Sequence, residues 1–157
     1  MSYKVLMVCT GNICRSVMAE MILQQELGDL DVQVDSVGIS AEEYGNPIDY
    51  RAERTLKAAG YSVPDHSARQ MTVQDIEESD LILAMTDRHY RAVQRLADQG
   101  GVEVKDLRMY REFDPSAGGD LDVPDPWYGD MSDFAQTLST IKAATPPLLE
   151  YLEENTA

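Results

Sequence analysis

A strand, a tight loop and a helix at the start of this chain limit what it can fold into more than any other feature. The apolar residues 5–8, Val-Leu-Met-Val, predict a buried strand, and residues 9–16, Cys-Thr-Gly-Asn-Ile-Cys-Arg-Ser, follow as a loop. The apolar spacing that comes next predicts a helix over residues 15–27, which Gly28 ends. Because this order is the first half of a β–α–β unit, the chain favours an α/β fold with a parallel sheet.

Apolar runs and helical patterns alternate along the rest of the chain in the same way. The candidate strands cover residues 4–8, 32–37, 81–85 and 106–109, and the candidate helices cover residues 15–27, 49–59, 72–78, 87–98 and 132–152. A chain of 157 residues is long enough to bury one substantial core. We therefore predict an α/β fold in which residues 1–157 form a single domain. Its central four-stranded parallel sheet has helices on both faces and the loop of residues 9–16 after strand 1.

Residues with strong preferences for helix ends support these boundaries. Asp49, Thr72 and Ser132 are candidate N-caps, since their side-chain oxygens can accept hydrogen bonds from the first backbone N–H groups of a helix. Gly28 and Gly60 are candidate C-terminal stops, because glycine adopts the left-handed conformation that commonly ends a helix.

The last helical pattern contains two consecutive prolines, Pro146-Pro147. Each proline removes a backbone donor and clashes with the preceding turn. The sequence therefore predicts that this helix kinks or splits near Thr145.

The loop after the first strand has the composition of an anion-binding site. Gly11 and Asn12 tolerate positive φ, so the backbone can turn its N–H groups inward, and the following helix adds a positive dipole end. This field favours the thiolate of Cys9, to which Ser16 can donate a hydrogen bond, while the planar guanidinium of Arg15 can grip two phosphoryl oxygens. A thiolate beneath a phosphate-binding loop predicts attack on phosphorus through a phosphocysteine intermediate. The plainer interpretation makes Cys9 a packing residue and Arg15 a surface residue.

A long loop rich in proline and glycine, residues 112–130, can supply the acid that phosphate ester cleavage also needs. We favour Asp125, because Pro126 stiffens the chain after it and Trp127 and Tyr128 can form an aromatic wall. The other loop aspartates are interpreted as solvated residues: Asp114, Asp120, Asp122 and Asp130. Since ligands of open α/β sheets bind at the carboxyl ends of the strands, Cys9, Ser36 and this loop can meet at one edge.

Residues 8–16 together with Met18-Ala19-Glu20 resemble the signature of the low-molecular-weight protein tyrosine phosphatases. The likeness covers nearly the whole chain, because further family motifs follow in the expected order: Asp35-Ser36 with Gly38, His66-Ser67-Ala68-Arg69-Gln70, Asp80-Leu81-Ile82-Leu83-Ala84-Met85 and Asp125-Pro126-Trp127-Tyr128-Gly129. The resemblance implies an enzyme that hydrolyses phosphotyrosine in proteins, and small aryl phosphates, without a cofactor or metal.

The resemblance also implies roles for individual residues. Cys9 is the nucleophile, Arg15 binds the phosphoryl group, and Asp125 is the general acid and base. Ser36 and His66 support the loop, with His66 against Asn12. The remaining residues of the phosphate-binding loop are Thr10, Gly11, Asn12, Ile13, Cys14 and Ser16.

The chain departs from the family pattern around the mouth of the pocket. Glu42 stands where a tryptophan is often found, and Tyr44 is the candidate replacement for that aromatic wall beside Trp127 and Tyr128. Val17 replaces a proline after Arg-Ser; Trp127 replaces a tyrosine, and Thr86 an aspartate. These changes bear on substrate preference and leave the reaction type untouched.

Composition limits the partners and the setting of the protein. The net charge of −15, from 28 acidic and 13 basic residues, repels nucleic acid and anionic lipid, and no apolar run or leader predicts a membrane span or a signal peptide. The two cysteines lie in one loop and are not a disulfide framework, and with two histidines they have no zinc-site spacing. We expect a cytoplasmic monomer that acts on tyrosine-phosphorylated proteins. Adaptation to high salt stays open.

Two rival functions use the same loop. Arsenate reduction needs further cysteines to carry a disulfide, and residues 80–100 contain none. A non-catalytic phosphotyrosine-binding module would need neither the thiol of Cys9 nor the carboxyl of Asp125. For Cys14, simple packing and a reversible disulfide with Cys9 both remain open.

Overall fold

The computed structural model describes residues 2–156 as one layered α/β unit. The elements follow in the order β1 (Tyr3–Cys9), α1 (Arg15–Glu26), β2 (Val32–Gly38), α2 (Tyr50–Ala58), α3 (Val73–Glu78), β3 (Leu81–Ala84), α4 (Asp87–Gly100), β4 (Leu107–Met109), a 3-10 helix (Tyr110–Phe113) and α5 (Met131–Thr156). Every predicted strand and helix is present. The predicted boundaries of α4 and α5 are short at the carboxyl end, since these helices continue to Gly100 and Thr156.

The four strands form one sheet in the order β2-β1-β3-β4, and all neighbours are parallel. Strand β1 lies between β2 and β3, with Cys9 beside Gly38 and Val8 beside Ala84. Central parallel strands are covered on both faces, which explains why β1 and β3 are almost entirely apolar. The predicted four-stranded parallel α/β fold is confirmed.

Alternate side chains of β1 enter two separate cores on opposite faces of the sheet. Met7 packs in a core with the apolar residues of α1, α2 and α5, whereas Leu6 and Val8 pack with Ile76 of α3 and Val93 of α4. Helices therefore cover both faces, as the alternating sequence pattern predicts.

Most of the predicted helix ends are confirmed. The Asp49 side chain accepts a hydrogen bond from the Arg51 N–H, and Thr72 forms a capping box with Asp75. Gly28 and Gly60 have φ values of 61° and 92°, directly after the C-caps of α1 and α2.

The predicted N-cap Ser132 is wrong. Helix α5 begins at Met131, and the Asp130 carboxylate accepts hydrogen bonds from the N–H groups of Ser132 (2.9 Å) and Asp133 (3.4 Å). Asp130 precedes the first helical residue, so its carboxylate reaches the N–H groups that lack partners within the helix.

Pro146 and Pro147 lie inside α5, and the predicted split near Thr145 does not occur. The carbonyl groups that lose donors belong to Lys142, which is exposed, and Ala143, which is partly exposed, so water can satisfy them. The apolar face is buried on both sides of the prolines, including Ile141, Ala144, Leu148 and Leu152. Packing of this face on both sides of the prolines accounts for the continuity of the helix.

No helix within residues 2–156 is both long enough and apolar enough to cross a membrane. The carboxyl ends of β1 and β2 lie side by side, and the loop that follows β1 begins at this edge of the sheet.

Candidate active site

The loop between β1 and α1 is held in shape by the side chain of Asn12. This residue is buried and has a φ of 61°, a left-handed conformation that asparagine tolerates better than most residues. Its Nδ2 donates to the hydroxyl oxygens of Ser16 and Ser36, both at 2.9 Å, and its Oδ1 accepts from the Arg69 N–H at 3.1 Å. One side chain thus ties the loop to α1, to β2 and to the segment before α3.

Ser16 lies 3.0 Å from the Cys9 sulfur, Oγ to Sγ. Since the Ser16 oxygen already accepts a hydrogen from Asn12, its own hydroxyl hydrogen is available to the sulfur. Ser16 is therefore placed to donate a hydrogen bond to the sulfur of the candidate nucleophile.

The network continues behind Asn12 to a half-buried acid, Glu20, that the sequence analysis did not assign. Ser36 Oγ donates to Glu20 Oε1, which leaves the Ser36 oxygen free to accept from Asn12. Burial raises the pKa of Glu20, while the hydrogen bond from Ser36 opposes that shift. Glu20 lies four residues after Ser16, on the same face of α1, and this spacing was the signal available in the sequence.

His66 supports the loop from behind, at the position implied by the family resemblance. Its Nε2 lies 2.7 Å from the Asn12 carbonyl oxygen, which can only accept, so the Nε2 must carry the hydrogen. Burial lowers the pKa of His66 and outweighs the hydrogen bond to Asn12, so the neutral ring is favoured. This histidine braces the backbone and does not line the cleft.

Gly38 allows the loop to pass close to the end of β2. A Cβ atom at this position would lie 2.5 Å from the Thr10 carbonyl oxygen, a distance that backbone atoms cannot accommodate without moving. The Ile39 and Ser40 N–H groups donate to the carbonyls of Cys9 and Thr10 at 2.9 and 3.1 Å. The carboxyl end of β2 thus fixes the first two residues of the loop.

Arg15 is buried, and its guanidinium contacts both the loop that holds Cys9 and the loop that holds Asp125. Nη1 donates to the Val123 carbonyl at 3.1 Å, and Nη2 lies 3.5 Å from Thr10 Oγ1 and 3.5 Å from Asp125 Oδ2. The carboxylate of Asp125 also accepts a hydrogen bond from the Trp127 N–H at 3.1 Å, on Oδ1. The predicted nucleophile loop, arginine and acid therefore meet, although Asp125 is 110 residues beyond Arg15 in the chain.

A cleft of about 360 Å³ opens above the loop. It is lined by Cys9, Thr10, Gly11, Ile13, Cys14, Arg15, Glu42, Glu43, Arg88, Asp125, Trp127 and Tyr128. Within residues 2–156, no three His, Cys, Asp or Glu side chains converge as a metal-binding group would.

Two expectations about the surroundings of the cleft are corrected. Tyr44 is 72% exposed and does not line the cleft; the turn from Ala41 to Tyr44 instead brings Glu43 against Gly11. Asp114 is buried rather than solvated, because Arg111 and Ser116 pair with its carboxylate.

The carboxylates of three other loop aspartates accept hydrogen bonds from backbone N–H groups and do not line the cleft: Asp120, Asp122 and Asp130. Asp120 accepts from the Asp122 N–H, Asp122 accepts from the Asp87 N–H at the start of α4, and Asp130 caps α5. Among the five loop aspartates, the cleft is lined by Asp125.

The surroundings of Cys14 disfavour its thiolate. Desolvation, followed by the charge of Asp49, raises the pKa of the Cys14 thiol, so this thiol stays protonated and is a weak nucleophile. Both cysteines are free and buried.

His89 of α4 is a second residue that the sequence analysis missed. The Thr86 N–H donates to its Nδ1 at 3.2 Å, so Nε2 carries the hydrogen and donates to Thr10 Oγ1 at 2.9 Å. Burial, then the charges of Arg15 and Arg88, lowers the pKa of His89 to about 3. The Thr86 hydroxyl caps α4, so the residue noted as a departure from the family pattern helps to hold this histidine.

Replacing His89 by glutamine should make stability less sensitive to acid. The unfolded chain takes up a proton at this histidine as the pH falls through 6.5, whereas the native state takes it up only near 3. Stability is therefore full above pH 6.5 and falls as the pH drops towards 3, by on the order of a few kcal/mol for this group alone. Urea unfolding of both proteins between pH 7 and pH 4 measures the difference in slope. Carboxylates act in both proteins, so equal slopes would contradict the assignment.

Known proteins are similar to this chain over most of their lengths. The family model described as low molecular weight phosphotyrosine protein phosphatase matches residues 4–157. A low molecular weight protein-tyrosine-phosphatase of Streptomyces coelicolor is 41% identical over 159 residues, with 98% of this chain and 96% of that protein covered. The low molecular weight protein-tyrosine phosphatase A of Mycobacterium tuberculosis is 42% identical, with coverage of 96% and 91%.

A solved structure agrees with these sequence matches. The protein tyrosine phosphatase of Entamoeba histolytica, crystallised with Hepes in the active site, superimposes with a TM-score of 0.87 at 30% identity and covers 99% of this chain and 100% of its own. The matched family model, the sequence relatives and the shared fold agree with one another, and the chain belongs to the low molecular weight phosphotyrosine protein phosphatase family.

Proposed function

We propose that this phosphatase hydrolyses phosphotyrosine in proteins, and small aryl phosphates, through a phosphocysteine intermediate on Cys9. The observation that carries the proposal is the Ser16 hydroxyl, which lies 3.0 Å from the Cys9 sulfur and, because its oxygen accepts from Asn12, can donate its own hydrogen to that sulfur. The sulfur lies at the base of a cleft whose rim holds Arg15 and Asp125. A positioned thiolate, a cation for the phosphoryl oxygens and an acid are the groups that this chemistry needs.

The first step transfers the phosphoryl group to the enzyme. The Cys9 thiolate attacks phosphorus, the S–P bond forms, and the bond from phosphorus to the aryl oxygen breaks. Asp125, in its protonated form, gives its proton to that leaving oxygen. In the second step the Asp125 carboxylate takes a proton from water, the water oxygen attacks phosphorus, and inorganic phosphate leaves as the thiolate is restored.

Arg15 binds the phosphoryl oxygens in this proposal. Its contact with the Val123 carbonyl holds the guanidinium in place, so little side-chain entropy remains to be lost when the phosphoryl group binds. We propose that the backbone of the loop supplies the other donors, from Thr10, Gly11, Asn12, Ile13, Cys14 and Ser16. Asn12, Ser36 and His66 keep those donors in position.

The walls of the cleft support an aromatic substrate. Trp127 and Tyr128 line it on the side of the acid, and Glu42 lines it with Glu43. A tyrosyl ring is long enough to pass between such walls and place its phosphate on the loop, whereas a seryl side chain is shorter. We propose tyrosine-phosphorylated proteins as partners of a cytoplasmic monomer, a setting that the free thiols support, and the charge of −15 disfavours nucleic acid.

Steady-state hydrolysis of three substrates tests the proposal. Purified protein should hydrolyse p-nitrophenyl phosphate and a phosphotyrosine peptide, and should act poorly on the matching phosphoserine peptide. Replacing Trp127 and Tyr128 together by alanine should raise KM for the aryl substrates, because the aromatic walls are lost. The preference for the phosphotyrosine peptide over the phosphoserine peptide should become smaller. Efficient phosphoserine hydrolysis would contradict the proposed pocket, and reductant-dependent arsenate reduction without phosphatase activity would contradict the reaction.

A further inference from the structure

The side chain of Arg51, at the start of α2, joins three parts of the molecule near the cleft. Nε and Nη2 pair with the two carboxylate oxygens of Asp49 at 3.1 and 3.0 Å. Nη1 donates to the carbonyls of Trp127 at 3.1 Å and Gly129 at 3.3 Å. A guanidinium has five N–H groups in a fixed fork, and these contacts use four of them.

Aromatic rings add to this arrangement. The guanidinium carbon lies 4.6 Å from the ring centre of Phe134 in α5 and 5.3 Å from that of Trp127. Both distances are within the range of cation–π attraction. Arg51 thus contacts the loop that holds Asp125 through two backbone carbonyls and the Trp127 ring. It also contacts α5, the helix that follows this loop, through the Phe134 ring.

The contacts lead from Arg51 directly to the acid. The Trp127 carbonyl accepts from Arg51, and the N–H of the same residue donates to the Asp125 carboxylate at 3.1 Å. The Gly129 N–H also donates to the Pro126 carbonyl at 2.9 Å, which closes a turn around Trp127. Fixing this turn therefore fixes the direction of the Asp125 carboxylate.

The other side of Arg51 leads to the nucleophile loop. Its partner Asp49 is largely buried and is the N-cap of α2, and the Asp49 N–H donates to the Ile13 carbonyl at 2.9 Å. One ion pair consequently connects the loop that holds Cys9 with the turn that holds Asp125. Neither side chain of the pair lines the cleft.

We infer that Arg51, paired with Asp49, is a positioning residue that sets the general acid Asp125 relative to the phosphoryl group. The inference rests on the proposed function, since it assigns the placement of the acid in that reaction. This role requires the planar, forked guanidinium of arginine and not only a positive charge. The guanidinium contacts the Asp49 carboxylate and the carbonyls of Trp127 and Gly129 at the same time.

Kinetics with leaving groups of different acidity test the inference. Arg51→Met should lower kcat/KM, which covers the steps up to departure of the leaving group, by ~10-fold or more for phenyl phosphate and by less than ~3-fold for p-nitrophenyl phosphate, because an acidic leaving group needs little protonation. Arg51→Lys should behave like Arg51→Met, and inhibition by inorganic phosphate should be unchanged. The matched control is Arg54→Met, an exposed arginine one turn later in the same helix.

A double-mutant cycle with Asp125→Ala separates positioning from a general loss of structure. In the Asp125→Ala background, Arg51→Met should cost less than ~2-fold with phenyl phosphate, because the group that it positions is absent. An equal loss in both backgrounds, an equal loss with both leaving groups, or full activity of Arg51→Lys would overturn the inference. Inactive wild type would instead overturn the proposed function, and if Arg51→Met does not fold, Arg51→Lys carries the same cycle.

Discussion

Replacing Cys9 by serine is expected to abolish turnover of p-nitrophenyl phosphate, with a loss of several orders of magnitude in kcat. An alkoxide forms far less readily than a thiolate, and the single Ser16 donor at 3.0 Å is not enough to offset that difference. The loop itself should survive, because Asn12, Ser36 and His66 hold it through contacts that do not involve the sulfur. The variant should therefore still bind inorganic phosphate, as isothermal titration can measure.

Cys14→Ser is the matched control for this substitution, since it makes the same change in the same loop. It should retain much of the activity when the protein is reduced, because the buried Cys14 thiol stays protonated. A Cys9→Ser protein with more than about a tenth of the wild-type rate would contradict the assignment of the nucleophile. If the Cys9→Ser protein lost phosphate binding together with activity, the loop would have collapsed. The loss of activity would then no longer support Cys9 as the nucleophile.

Replacing Asp125 by alanine is expected to lower kcat/KM, which reports the step in which the leaving group departs, by ~10²–10⁴ with leaving groups as basic as tyrosine. The Asp125 carboxylate is the loop acid that lines the cleft, and it is held by the Trp127 N–H and by Arg15. The loss should shrink as the leaving group becomes more acidic, because an acidic aryl oxygen departs without a proton. A series of substituted aryl phosphates measures this dependence.

Asp120→Ala is a suitable control, since Asp120 lies in the same loop but its carboxylate accepts from the Asp122 N–H outside the cleft. Its rates should match those of the wild type across the series. If the Asp125→Ala substitution lowers kcat/KM by the same factor with every leaving group, Asp125 shapes the loop without giving a proton to the leaving oxygen. The acid would then have to be sought at Asp122 or Asp130.

The errors of the sequence analysis come from contacts that the local pattern does not contain. The Ser132 side chain is of a type that commonly caps helices, but Asp130 is the residue that directly precedes the first helical residue, and its carboxylate accepts from the Ser132 N–H. Pro146 and Pro147 break most helices, but the buried face on either side of them keeps α5 continuous. Tyr44 is aromatic and was expected at the mouth of the pocket, but the turn from Ala41 to Tyr44 places Glu43 against Gly11 instead.

The sequence by itself determined the strand, the loop and the helix that hold the nucleophile, because Cys9, Asn12, Arg15 and Ser16 lie within eight consecutive residues. Their relative positions follow from local backbone preferences and from one left-handed residue. The parallel sheet was predictable for a similar reason, since hydrophobic periodicity is a local property.

Only the tertiary structure decided which distant groups complete the site. His89 reaches Thr10 across 79 residues, and Arg51 reaches the Trp127 carbonyl across 76. These contacts depend on the order β2-β1-β3-β4 and on how α2 and α4 pack beside the loop. Such packing is the sum of many weak interactions between separate segments, and no single segment of the sequence records it.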